Sequence, residues 1–222
     1  YGETLSSSNG VTVWWASSGW KVSQTRSVPE ASGEALEIRA ARNEAEAAQL
    51  VVHPSRPLEG FLAYGAELTG EDGATIPKEA VEVLRVRYVP IKKQTDRLGC
   101  EGMWPDPLPP FKGPIAIAAN TNQPLWVRVT VPEDTPGGVY EGRIHLQAAG
   151  YEESVPLRVV VYDFVLPEAM TCQTAFGFIP EDVFEHHNIS DEAQKREILE
   201  KYWQNCSDHH ISVYDPAPLD PY

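Results

Sequence analysis

Between Gln123 and Phe164 the chain alternates apolar and polar residues with a period of two, and beyond Pro167 it stops doing so. That change of period constrains the fold more than any other feature. Leu125, Val127, Val129 and Val131 interleave with Trp126, Arg128 and Thr130, the pattern of a strand buried on one face only. The run ends in Pro132-Glu133-Asp134-Thr135-Pro136-Gly137-Gly138, which predicts a tight reversal and a hairpin. Tyr140, Gly142, Ile144 and Leu146 then share one face, opposite Glu141, Arg143, His145 and Gln147. A second reversal at Gly150 leads to Val155, Leu157, Val159 and Val161, so three consecutive antiparallel strands are expected.

The first half has the same style, with candidate strands at Val11-Trp15, Leu36-Arg39, Ala47-His53, Leu62-Leu68 and Val81-Ile91. About eight short strands punctuated by Gly, Pro and Asn predict an antiparallel two-layer β-sandwich, a mainly β fold. A phase slip between Val83 and Leu84 predicts a β-bulge. The consecutive Trp14 and Trp15 must face opposite ways in a strand, which predicts that one of them is exposed. From Gly99 to Phe111 four prolines interrupt any alternation, and this segment is expected to be a loop outside the sheets. Its Trp104, Leu108 and Phe111 are costly to leave in water, at roughly 1.5 to 3 kcal/mol for each large side chain. They are expected to pack at a domain boundary, with Trp104 beside a cleft.

After Asp163-Phe164-Val165-Leu166-Pro167 the reading becomes strand, helix, strand. Cys172 to Phe178 is the first strand, Ser190 a candidate N-cap, and Ile198, Leu199, Tyr202, Trp203 and Cys206 the apolar stripe of the helix. Ile211 to Tyr214 is the second strand, leading into a loop with Pro216, Pro218 and Pro221. One β-α-β unit cannot cover a parallel sheet. The expectation is therefore a sandwich over 1–166 and, over 167–222, the opening segment of a larger α/β domain that continues beyond Tyr222. The start at Tyr1, without a signal-peptide pattern, suggests a mature or trimmed form.

A formal net charge of -14 opposes nucleic acid and anionic lipid surfaces. No apolar run approaches the ~20 residues that cross a bilayer. The three cysteines, Cys100, Cys172 and Cys206, form no disulfide framework or zinc spacing. No metal or cofactor is expected, the redox compartment is left open, and His186 with His187 read as loop histidines.

Several motifs together resemble the N-terminal β-sandwich of glycoside hydrolase family 123-like proteins. These are Arg42-Asn43-Glu44, Gln49-Leu50-Val51-Val52, Trp104-Pro105-Asp106-Pro107-Leu108, Asn122-Gln123-Pro124-Leu125-Trp126-Val127, the Pro132 to Gly142 turn and Asp163 to Pro167. The family includes β-N-acetylgalactosaminidases, and the resemblance implies that the β-α-β unit begins a (β/α)8 catalytic barrel. It also implies substrate-assisted hydrolysis, with a Glu as general acid and a neighbouring Asp orienting the 2-acetamido group of the sugar, both on a later barrel strand beyond Tyr222. No catalytic residue is carried over, so this chain alone is expected to lack the catalytic pair. The implied partners are an N-acetylhexosamine-containing glycan and a C-terminal barrel domain, of the same parent protein or another chain.

Ligand-contacting candidates are Trp104 and Asp106 in the Pro-rich segment, and Glu181, Asp182 and Asp215. The last three are expected in loops at the C-terminal ends of the two strands, the side on which barrel enzymes build their sites. Asp191 and Glu192 are read as acids favoured by a helix N-terminus. Two further classes stay open: a free-standing carbohydrate-binding module, for which Trp14, Trp15, Trp20 and Trp104 are available to stack on sugar faces, and a structural or assembly sandwich.

Overall fold

The computed structural model describes residues 1–94, 97, 99, 101–169, 171–213, 215 and 217–219. It divides into two compact units, Tyr1–Leu166 and Pro167–Tyr222. In chain order the strands of the first unit are β1 (Glu3–Ser8), β2 (Val11–Ser17), β3 (Leu36–Arg42), β4 (Glu44–Pro54), β5 (Leu58–Gly65), β6 (Leu68–Gly70), β7 (Thr75–Ile76), β8 (Val81–Arg85), β9 (Tyr88–Ile91), β10 (Gly102–Pro105), β11 (Ile115–Ile117), β12 (Gln123–Val131), β13 (Gly138–Ala148) and β14 (Tyr151–Val165).

One sheet runs β1-β2-β4-β12-β8 and the other β11-β5-β13-β14-β3, with β6 joining β13 and β7. Their inward rows meet in one core: Val11, Val13, Leu50, Val52, Leu125, Val127, Val129 and Val131 from the first, Ile38, Phe61, Tyr140, Ile144, Leu146, Leu157 and Val159 from the second. This is the mainly β, two-layer architecture that the alternation predicts. A smaller cluster of Trp14, Ala16, Val22 and Val51 lies on the outer face of the first sheet. Neither consecutive tryptophan is left exposed. Trp14 is fully buried in the outer cluster, and the half-buried Trp15 packs against the core and donates its indole N–H to Glu3 Oε2 at 3.1 Å.

Four expectations need correction. β12 and β13 are not a hairpin: β12 pairs with β4 and β8, while β13 pairs with β14 and β5. The Pro132 to Gly138 turn thus carries the chain from one sheet to the other, and strand alternation does not encode which partner a strand takes. The sandwich is not wholly antiparallel, because β3 and β14 pair parallel from Leu36↔Leu157 to Arg42↔Val165. No bulge interrupts Val81–Arg85, whose register against β12 is continuous. The phase slip lies inside β8 and reflects burial on both faces: Val83 faces the core, and Leu84 is buried because the Pro-rich segment covers it through a bridge to Pro110.

That segment is also not outside all pairing. β10 pairs with β9, and Pro109 and Pro107 accept hydrogen bonds from the backbone N–H groups of Arg85 (3.2 Å) and Arg87 (2.9 Å). Proline lacks a donor but keeps its carbonyl, so these residues cap the free edge of β8 without offering donors for a further strand. Cys100 lies outside the described residues.

In the second unit, α1 (Pro180–His186) and α2 (Glu192–Asp208) are joined by a short connection. α1 was not expected. Pro180 suits a first helical position, and Glu181 and Asp182 fall in its first turn rather than in a loop. His186 ends this helix and His187 is its C-cap, so neither lies in a free loop. The cap of α2 is Asp191, one residue after the expected Ser190, its carboxylate accepting from Gln194 N at 3.1 Å. Lys201 donates to Glu197 at 2.7 Å and holds that carboxyl below its ordinary pKa. Leu199 is buried, and Phe178 packs edge-on against Trp203 and Tyr202. The two predicted strands reduce to one parallel bridge, Phe176↔Val213, supported by Phe176 N donating to Ser212 O at 3.0 Å. Cys172 to Gly177 is exposed and forms no longer ladder among the described residues; Tyr214, Pro216 and Pro221 lie outside the described residues.

Candidate functional site

Two segments lie over the outer face of the first sheet, and buried amides hold one of them there. Gln49, outward-facing on β4 and 2% exposed, donates Nε2 to the carbonyls of Ser17 (3.0 Å) and Trp20 (2.7 Å). Asn122, 1% exposed at the entry to β12, donates Nδ2 to the carbonyls of Ser23 (3.0 Å) and Arg26 (2.8 Å), and its Oδ1 lies 2.9 Å from His53 Nδ1. Its backbone N–H adds a bond to Gln24 O at 2.9 Å. The Tyr88 hydroxyl donates to Val22 O at 2.9 Å, and burial pushes its pKa well above the ordinary tyrosine value, so it stays a donor. Gln123 Nε2 closes the set on Val86 O at 3.0 Å.

Between this pinned segment and the Pro-rich one is a cleft of about 110 Å³. Trp20 and Trp126 are its aromatic walls, Gln49 and Pro105 line it, and Lys21 and Asp106 stand at it. Lys21 Nζ donates to Pro105 O at 3.3 Å and lies 3.9 Å from Asp106 Oδ1. Trp20 is 45% exposed. An indole face beside hydrogen-bonding groups suits the C–H face and hydroxyls of one pyranose ring. Trp104, opposite Val89 on β10 and half-buried, does not line this cleft; Asp106 does.

In the second unit Glu181 and Asp182 are exposed on the first turn of α1. Asp215 Oδ1 accepts from Ala217 N at 3.1 Å in a local turn. Each follows one partner of the parallel Phe176↔Val213 bridge, so all three leave from the C-terminal end of that pairing. A larger groove of about 800 Å³ in the first unit has several of its polar side chains already paired. Trp15 bonds to Glu3, Arg143 to Ser154 at 2.7 Å, and Arg158 lies 3.9 Å from Glu37. Among the described residues no cluster of three or more His, Cys, Asp or Glu side chains is arranged to hold a metal. Cys172 and Cys206 are free thiols. No described helix is long and apolar enough to cross a membrane.

The sequence profile of the glycoside hydrolase 123 N-terminal domain matches residues 15–148. The chain belongs to this family. Its fold resembles a family 123 glycoside hydrolase from Clostridium perfringens, solved in a study of glycolipid glycan hydrolysis, with a TM-score of 0.73 at 13% identity. The alignment covers 91% of this chain but 37% of that one, so the chain spans little more than a third of its structural relative. The CooA pilin subunit from enterotoxigenic Escherichia coli aligns over 70% of this chain and 99% of its own, at 14% identity and a TM-score of 0.33, too low to carry an argument. No curated protein matches in sequence.

Within this glycoside hydrolase 123 N-terminal domain, the quoted sequence motifs have structural work. Asn43, at φ 60°, turns β3 into β4 and donates Nδ2 to Leu166 O at 3.0 Å, while Leu166 N returns a bond to Arg42 O at 2.9 Å. Glu44 accepts from Ala41 N at 2.6 Å. The motif Arg42-Asn43-Glu44 thereby fixes where the chain leaves the sandwich. Trp20 is one of the four tryptophans that the sequence offers to a sugar, whereas Lys21 sits in an aperiodic stretch and carries no signal of its own. Gln49 carried a signal that was available, an amide inside an otherwise apolar strand, which only a buried partner can satisfy.

Proposed function

We propose that this chain is the N-terminal portion of a glycoside hydrolase that acts on N-acetylgalactosamine-containing glycans. In this reading the sandwich supports a (β/α)8 barrel, and residues 167–222 are the first β-α-β segment of that barrel. The observation that carries the reading is the family match over residues 15–148, together with an alignment that spans only 37% of a family 123 enzyme. The helical connection, α1 and α2, between two parallel-bridged segments supports the second half of it. Glu181, Asp182 and Asp215 then stand on the side where a barrel builds its site, and Trp104 and Asp106 are proposed to contact the glycan from the sandwich. Chemistry by acid catalysis and neighbouring-group participation belongs to later strands.

The test is hydrolysis of a chromogenic β-N-acetylgalactosaminide by the 222-residue chain and by the full product of its gene. The expected result is no turnover by the first and turnover by the second. Activity of the isolated chain after contaminant controls, or an inert full-length protein, would sink the reading. In an active full-length protein, Trp104→Ala should raise KM with little change in Tm. A fall in Tm at constant KM would make Trp104 a packing residue.

A free-standing carbohydrate-binding module is the second reading, favoured by the cleft between Trp20 and Trp126. Against it stands the single parallel bridge of the second unit, whose pairing edges need further strands.

A further inference from the structure

Arg85 and Arg87 continue the inward row of β8 after Val81 and Val83, at the rim where the core opens to solvent. With Lys112 they line a pocket of about 230 Å³ walled by Pro110, Phe111 and Ile115. Among the described residues no carboxylate is within ion-pairing distance of any of the three. In a chain with 32 acidic and 18 basic residues, three cations that share a pocket and no carboxylate are an arrangement that the sequence could easily have neutralised. The Nε of Arg85 is buried without an acceptor, and an unpaired buried donor on a charged group is costly. Burial, and then the neighbouring Arg87, hold the Arg85 guanidinium below its ordinary pKa.

The walls are fixed. Arg85 N and Arg87 N are bonded to the carbonyls of Pro109 and Pro107. Phe111 and Ile115 pack on the core, Phe111 meeting Phe61 edge-on with ring centroids 6.3 Å apart. The cationic groups are thus presented by a braced frame rather than by a free loop, and a guanidinium pair can take an oxyanion with forked hydrogen bonds.

We propose that Arg85, Arg87 and Lys112 form a binding site for the anionic substituent, a sulfate or a carboxylate, of an acidic glycan. The glycan part rests on the function proposed above. The pocket admits one such group, and the net charge of -14 disfavours a long polyanion.

Calorimetric titration of the 222-residue chain at fixed ionic strength tests this. The probes are N-acetylgalactosamine 6-sulfate, glucuronic acid, N-acetylgalactosamine and sodium sulfate. One of the two charged sugars should bind at least about tenfold more tightly than the neutral sugar, which identifies sulfate or carboxylate as the group. The double variant Arg87→Ala, Lys112→Ala, whose two side chains are exposed, should lose about tenfold of that affinity at unchanged Tm. Should that variant unfold, amide shifts at residues 85–87 and 111–113 of the unaltered chain, seen with the charged sugar and absent with the neutral one, decide instead. No preference for either charged sugar, unchanged affinity in the folded variant, or shifts elsewhere would overturn the proposal. So would sodium sulfate binding as tightly as the sugars, which would make this a site for an adventitious ion only. None of these measurements uses hydrolysis, so an inert full-length enzyme would remove the preceding reading without touching this result.

Discussion

Replacing Asn122 by Ala should lower the unfolding free energy by about 3–5 kcal/mol, because two buried carbonyls and one imidazole lose their partner at about 1–3 kcal/mol each. The amide of Asn122 holds Ser23 O, Arg26 O and His53 at once, and no neighbouring side chain replaces it. Asn122→Asp should be nearly as damaging, since a carboxylate cannot donate to the two carbonyls. Urea denaturation of the three proteins checks both statements. A loss below about 1 kcal/mol for Ala would mean that water takes over these bonds and that the loop over the first sheet is held elsewhere.

Trp14→Ala should cost about 3–5 kcal/mol, the usual penalty for removing a large buried aromatic. Its ring is fully buried against Ala16, Val22 and Val51, and Tyr1 meets it edge-on with centroids 6.1 Å apart. Its indole nitrogen is buried without an acceptor, so no hydrogen bond is lost on truncation and the whole penalty is packing. Trp20→Ala, at 45% exposure, is expected to cost less than about 1 kcal/mol. Equal destabilisation by the two substitutions would show that the outer cluster is not a second core. Thermal melts of both variants make the comparison.

The strands of the sandwich were legible because one face is buried, and burial writes a period of two into the sequence. Tyr140, Ile144 and Leu146 were placed on the inward face from alternation alone, and they are buried there. Pairing partners were not legible: nothing in the pattern of β12 distinguishes β13 from β4 and β8. β1 was missed because Ser6, Ser7 and Ser8 carry no apolar signal. Leu84 misled for a physical reason, since its burial comes from a segment far along the chain, at Pro110. Of the candidate site, Asp106 could be picked out by its place in a Trp-Pro-Asp run. Lys21 and Trp20, which meet it across the cleft, come from another part of the sequence. The charged pocket was invisible for the same reason: Arg85 and Lys112 converge only when the Pro-rich segment folds along the edge of β8.

The parallel pairing of β3 with β14 has a consequence for synthesis. A ribosome releases β3 early, but its hydrogen-bonding partner arrives only with Leu157 to Val165. At about 5–20 residues per second the interval is on the order of ten seconds. Throughout it Leu36, Ile38 and Ala40, which end in the core, have no strand beside them. Closing so long a stretch of chain also makes the final step intrinsically slow. The nascent sandwich therefore presents an unpaired apolar edge to whatever else is in reach, and any polypeptide terminated before Leu157 keeps that edge permanently.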